Sequence, residues 1–374
     1  MAEDNNNSET TPLHKKDKKA EPGFAKKISV FGIWLVCVII VCFSLACVQV
    51  LDGAVPPFEL NAWRFGIQLI FTLPVIGYNK WDVKMDLKKI PLQAFVAIMI
   101  NLTNIFYFTA AEYIPVGEIA VAGNCTIITL TSILSICVKD QRKLPLYLGA
   151  GLAIVGMVLM FQPNFLFKGA HLPPPPEVNW TSPCVPPKNV TPFDNSTEEI
   201  DVMLHIKTHL PSYVVGYILV VLYAVSTTSC YYAIKPLVVD VNSSTVAFWN
   251  ALIGTILSIV IMLIMEKPTF PHSWFCIMLL FFHCVGTSQQ SIFMPWALQY
   301  LSAAIVVMVS TTKIIFLLVL QYTLLHHIMP GLDNWVQVVG GVICFCGLIG
   351  GPLCQLLRER YKEKEEAVEL AEME

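Results

Sequence analysis

Residues Pro163–Pro211 read PNFLFKGAHLPPPPEVNWTSPCVPPKNVTPFDNSTEEIDVMLHIKTHLP, the one long polar interval between two apolar halves of similar size. The interval holds the run Pro173-Pro174-Pro175-Pro176, one cysteine, Cys184, and three Asn-X-Ser/Thr sequons that begin at Asn179, Asn189 and Asn195. A Pro-rich segment without hydrophobic period cannot bury enough apolar surface to offset its ordering entropy, so it is expected to be a loop and not a domain. Cys184 has no second loop cysteine to pair with, and the other cysteines lie in or beside apolar runs, so no disulfide framework is expected.

Composition sets the class of the two halves. The chain is 55% hydrophobic and only 14% charged, whereas a soluble chain carries roughly a quarter charged residues. Apolar runs of membrane-crossing length are expected near 28–50, 57–78, 91–111, 116–137 and 144–162 before the loop. Beyond it they fall near 212–234, 244–265, 275–298, 303–324 and 335–354. The first run is too long, and starts too far into the chain, for a cleaved signal peptide. Residues 1–27 are a polar, Lys-rich tail and 355–374 a charged one whose Glu/Lys spacing suits a short exposed helix.

Charge placement orients this stack. The segments on the N-terminal side of the membrane collect eighteen Lys and Arg: six in the first tail, four in Lys80–Lys89, three in Lys139–Lys143, Lys235, and four in the last tail. The opposite side holds only Lys168, Lys188, Lys207 and Lys267, while Arg64 and Lys313 lie inside spans. The positive-inside rule then makes both termini cytoplasmic and the 163–211 loop lumenal or extracellular, where its sequons are available for glycosylation. Asn101-Leu-Thr and Asn124-Cys-Thr fall within spans and Asn242-Ser-Ser on the cytoplasmic side, so these are expected to stay bare.

The halves also read as copies. Leu148-Gly149 through Gly156 matches Val339-Gly340 through Gly347, Tyr113 through Ile128 matches Tyr300 through Ile315, and Ala62-Trp63-Arg64 matches Phe248-Trp249-Asn250. Five spans per copy place the second upside down relative to the first. The expected fold is an all-α membrane protein of ten transmembrane helices in two inverted five-helix repeats, 28–162 and 212–354. That is a recurrent build of secondary transporters, with the site near mid-membrane at the repeat interface.

At the level of motifs the chain resembles the drug/metabolite transporter superfamily in its EamA-like branch, and is similar to the G-type members of the solute carrier 35 family. The resemblance rests on Pro57-Phe58 followed by Trp63-Arg64-Phe65, on Tyr113-Ile114-Pro115-Val116-Gly117, and on Gly149/Gly156 with Gly340/Gly347. It implies a multi-pass carrier of a small solute. The chain departs from the pattern at Asn124-Cys125-Thr126, where many members place a mid-span proline.

Polar residues inside spans are the candidates for solute contact, since an ionisable group at a span centre costs about 2.5 to 3.5 kcal/mol on insertion scales. Arg64 reads either as an anion contact or as a guanidinium snorkelling to the interface, and an arginine there is part of the family pattern. Lys313 shares a helical face with Ser302, Val306, Ser310, Leu317 and Gln321, a stripe that suits a cavity wall or interhelical hydrogen bonding. Glu118 is the natural counter-ion to Arg64. Asn101 and Asn104 share a face of span three, with Ser288 and Ser291 as repeat equivalents, and His283, Gly286 and Gln290 share one on span eight. Asn124, Asn250 and Trp296 complete the set. Spans five and ten, rich in glycine at Gly149, Gly151, Gly156, Gly340, Gly347 and Gly351, are expected to form packing seams, with homodimer contacts an alternative use of the same faces.

Enzymatic constellations are absent. There is no Gly-rich phosphate loop, no HExxH, no CxxC pair and no intramembrane aspartate pair, and the adjacent His326-His327 cannot present both rings to one metal from a helix. No cofactor, metal or nucleic acid is expected, and the partners are the lipid bilayer and a small-molecule solute, an anionic metabolite by the sign of the two cations. The competing function is a non-transporting membrane regulator or partner protein built on the transporter fold. Passage through the secretory pathway leaves plasma membrane and Golgi as destinations.

Glycosylation tests the loop's side directly. Glycosidase treatment is expected to speed gel migration of the wild type and not of a triple Asn→Gln variant at 179, 189 and 195. Unchanged wild-type mobility would contradict the assignment.

Overall fold

A chain segment in hydrocarbon must satisfy its backbone hydrogen bonds internally, and the regular structure among the described residues is helical throughout. The computed structural model describes residues 23–51, 55–80, 83–111, 113, 116–137, 144–161, 212–266, 268–269, 271, 273–316 and 335–373. The 163–211 loop with its three sequons, the first 22 residues and the Leu317–Gln321 part of the ninth run lie outside them.

The helices follow the apolar runs closely. They are α1 Phe24–Leu51, α2 Pro57–Tyr78, α3 Ile90–Ala111, α4 Val116–Cys137, α5 Leu144–Phe161, α6 Ser212–Asp240, α7 Ser243–Met265, α8 Trp274–Tyr300 and α9 Ala303–Thr311. After them come α10, Trp335–Phe345, and α11, Gly351–Met373, joined by a π-type turn at Cys346–Gly350. Among the described residues six stretches are long and apolar enough to cross a bilayer on their own, in α1, α3, α6, α7, α8 and the α10–α11 join, with shorter apolar helices in α4, α5 and α9. α2 is not among the six because Glu59, Asn61 and Gln68 on its buried face lower its hydropathy.

α6 runs on to Asp240, past the expected end near 234, and two further boundaries differ from expectation. α1 starts at Phe24, inside the stretch read as tail, because Lys27 pairs with Glu359 at 3.6 Å, Lys26 lies 4.4 Å over the Tyr300 ring, and Arg360 lies 4.7 Å over Phe24. The last span runs without a break into the charged tail, since α11 carries both Gln355 at a buried position and the exposed Tyr361. Cys276 is disulfide-bonded, against the expectation that no disulfide is present. Counting only loop cysteines overlooked this thiol, which sits in the first turn of α8 and not in the apolar middle of the span.

Packing divides the helices into two groups. α1 and α2 pack with α8 and α9, and α6 and α7 pack with α3 and α4. Two flanking seams join the groups, α2 against α7 and α5 against α10. These pairings persist when α1–α5 are exchanged for α6–α10 in order.

The α5–α10 seam is a backbone contact. Gly149, Ala153 and Gly156 face inward while Leu148, Leu152 and Val155 face out. A Cβ at Gly149 would lie 2.6 Å from the Gly347 carbonyl oxygen, and one at Gly156 would lie 2.6 Å from that of Gly340. Gly347 and Gly351 both turn toward Gly149, whereas Gly151 faces open space and takes no part in the seam. Close approach of this kind is how membrane helices gain dispersion contacts where no hydrophobic effect drives them together.

The α2–α7 seam is fastened at both ends by polar groups. At one end Glu266 Oε2 accepts from the N–H groups of Phe58 and Glu59, both at 3.2 Å, so a carboxylate caps the start of α2. Glu59 in turn accepts from Thr269 N–H at 2.7 Å and from Trp63 Nε1 at 3.2 Å. At the other end Asn79 Nδ2 donates to Ser244 Oγ at 3.0 Å, and Trp249 Nε1 to the Val83 carbonyl at 3.1 Å.

The seam geometry sets a graded outcome for single methyl groups. Gly156→Ala is expected to destabilise the folded chain by about 1 to 3 kcal/mol through overpacking, read as a lowered thermal midpoint in detergent, while Gly151→Ala leaves the midpoint unchanged.

Candidate functional site

Some of the interior polar residues bond across the two helix groups and others bond within one of them. Arg64, half-buried on α2, donates from Nη2 to Ser291 Oγ of α8 at 3.1 Å, and its Nε is buried without a partner. Ser291 is the repeat equivalent expected for Asn104, so the repeat arithmetic led to a residue that holds the arginine. Lys313, just past α9, places Nζ 3.5 Å from the Tyr223 hydroxyl of α6, in the opposite group. Its own carbonyl accepts from Cys42 Sγ of α1 at 3.3 Å. Among the described residues neither cation is paired with a carboxylate.

Tyrosines complete the arrangement. Tyr223 stacks obliquely on Tyr107 of α3 with ring centroids 5.5 Å apart. Two turns further along α6, Tyr231 donates to Ser310 Oγ at 3.2 Å and also reaches Gln290 of α8. Ser310 precedes Lys313 by three residues, so one face of α9 presents a hydroxyl and an ammonium to α6. Trp34 Nε1 of α1 holds the same helix by donating to the Val306 carbonyl at 3.1 Å.

The other candidates are placed as follows. Asn101 accepts from Asn61 Nδ2 at 3.1 Å and donates back to the Ala97 carbonyl, bridging α2 and α3. Asn104 is half-buried on the same helix, with its Nδ2 unpartnered. Asn250, the repeat counterpart of Arg64, accepts from Gln93 Nε2 at 2.5 Å. Both counterparts thus bond the third helix of the other repeat. His283 Nδ1 lies 3.0 Å from the Ser44 carbonyl of α1. Asn124 is buried on α4. Trp296 stands apart in an edge-to-face run with Phe293 at 6.1 Å and Tyr300 at 5.7 Å. Glu118 lies on α4, and its side chain falls outside the described residues.

Sequence reasoning missed Tyr107, Tyr223, Tyr231 and Gln68. Gln68 is one turn beyond Arg64 on α2, 1% exposed, with neither amide atom partnered. The signal for the α6 residues was present as the stripe Tyr223, Thr227, Tyr231 at four-residue spacing. Lys235, counted among the cytoplasmic charges, instead turns its ammonium onto the Leu298 and Leu301 carbonyls at 2.5 and 2.8 Å. There it caps the last turn of α8, where a cation is favoured, and ties the two helix groups together at the end that holds the tails.

The profile of the EamA-like transporter family matches residues 28–162 and 214–350. Among curated proteins none matches the chain significantly. Among solved structures, a crystal structure of another protein superposes with a TM-score of 0.61 at 14% identity, covering 90% of this chain and 98% of that one. At that identity the likeness shows the fold alone.

Proposed function

The chain belongs to the EamA-like transporter family, and on that premise we propose that it is a secondary carrier of a small organic anion. In this reading ten spans form two inverted repeats, and the two helix groups rock on the α2–α7 and α5–α10 seams. The observation that carries the reading is that Arg64 and Lys313, one from each repeat, have hydroxyl partners and no described carboxylate. Such a cation keeps a net positive field in a medium of low dielectric, and an anionic group of the solute supplies the missing charge.

The hydroxyls fit the same task. Tyr223, Tyr231, Ser310 and Ser291 each donate and accept, so they can exchange their bonds with one another for bonds to carboxylate or phosphate oxygens. Lys313–Tyr223 and Ser310–Tyr231 cross between the helix groups. Relative motion of the groups breaks these contacts, and solute binding between them replaces what is broken. Glu118, Asn101, Asn104, Asn124, Asn250, Gln290, His283 and Trp296 remain proposed neighbours of the path, and the motif set supports a place near the G-type members of the solute carrier 35 family. Glycosylation of the 163–211 loop and residence in the plasma membrane or Golgi belong to the same proposal.

A vesicle uptake panel of carboxylates, phosphate esters and nucleotide sugars tests it. Lys313→Met keeps length and removes charge, and loss of one charge-assisted contact, about 1.5 to 3 kcal/mol, lowers anion uptake roughly tenfold to a hundredfold. Tyr223→Phe is expected to lower it less. Normal uptake by a well-folded Lys313→Met chain would remove the lysine from the solute site.

A further inference from the structure

His283 is 1% exposed on α8, and its surroundings determine which ring nitrogen is free. Nδ1 lies 3.0 Å from the Ser44 carbonyl oxygen. A carbonyl only accepts, so Nδ1 carries the hydrogen and the lone pair of the neutral ring is on Nε2. Nε2 is buried and unpartnered. The neighbouring hydroxyls have already given their hydrogens elsewhere: Ser44 to the Val41 carbonyl, Thr287 to that of His283, and Ser288 to that of Cys284. A basic nitrogen left bare in a span calls for an explanation.

The groups facing it are few. α1 presents the Ser44 carbonyl and packs Ser44 against Gly286. Arg64 of α2 bonds the same helix at Ser291, about two turns beyond His283. The thiols of Cys284 on α8 and Cys230 on α6 are buried as well. Among the described residues no carboxylate joins the cluster.

We propose that Nε2 of His283 takes up a proton that travels with the anion, making the chain a proton–anion symporter. The inference rests on the carrier reading and adds its coupling ion. An imidazolium beside an uncompensated Arg64 sets two positive charges together in low dielectric, which opposes loading of the proton alone. An anion on Arg64 reverses that interaction from repulsion to attraction, so each ligand favours the other by the same factor. The N–H bond forms at the expense of a hydronium ion on the loading side and breaks to water on the unloading side. No other bond changes.

The test uses the full chain in proteoliposomes enclosing a pH dye, with the panel solute whose uptake requires Lys313. Wild-type uptake is expected to acidify the interior and to rise with an acid-outside gradient. His283→Asn keeps a donor for the Ser44 carbonyl and removes the Nε2 acceptor. It is expected to lower gradient-driven uptake about tenfold, with solute-for-solute exchange falling less and the gradient response lost. Histidine nitrogen NMR on the wild type in nanodiscs, with protons as the only added ligand, should show the Nδ1–H tautomer for the signal that disappears in His283→Asn. Uptake that leaves interior pH unchanged, or an Nε2–H tautomer, overturns this proposal alone and needs no folded variant for the first of these. A wild type that carries no panel solute overturns the carrier reading and this one together.

Discussion

A cation inside a lipid-spanning helix must find a partner or the span will not stay where it is. Arg64 and Lys313 meet that demand through hydroxyls on other helices, Ser291 and Tyr223. Insertion scales put the cost of such a residue at about 2.5 to 3.5 kcal/mol, and a neutral hydroxyl offsets only part of it. The helices around them are therefore committed to one another, α2 to α8 and α9 to α6.

The backbone contact of Gly149 and Gly156 with α10 and the π-type turn, and the doubly fastened α2–α7 seam, add to the extensive α1–α8 and α3–α6 packing. Nearer the middle the helix groups share buried apolar packing, Tyr223 and Ile234 of α6 with Leu298 of α8 and Val307 of α9, and are crossed by hydrogen bonds such as Tyr231–Ser310, each worth about 1 kcal/mol net. Lys235 adds a bond of intermediate strength, an ammonium on the C-terminal carbonyls of α8.

The helices were legible because apolar runs in a membrane protein are long and their backbones have no alternative to helix. The glycine seam was legible because small residues at seven-residue spacing recur in both halves, although Gly151 shares their composition and faces the wrong way. The tyrosines were not legible, because Tyr223 and Tyr231 look like ordinary aromatic filling until α9 is seen to lie against α6. Likewise nothing in the sequence relates Glu59 to Glu266, and only the meeting of α2 with the end of α7 makes Glu266 the cap of α2 and Glu59 the anchor of Thr269. Cys276 escaped notice because thiols within apolar runs were all read as packing residues.

The account stands or falls on whether the space between the helix groups opens to both sides. A cysteine placed at Ser310, in a chain stripped of other reactive cysteines, measures this with membrane-impermeant thiol reagents applied from each face of sealed vesicles. The account predicts labelling from both faces, with protection by the transported solute. Labelling from neither face, or from one face regardless of solute, would show a packed interior and contradict it.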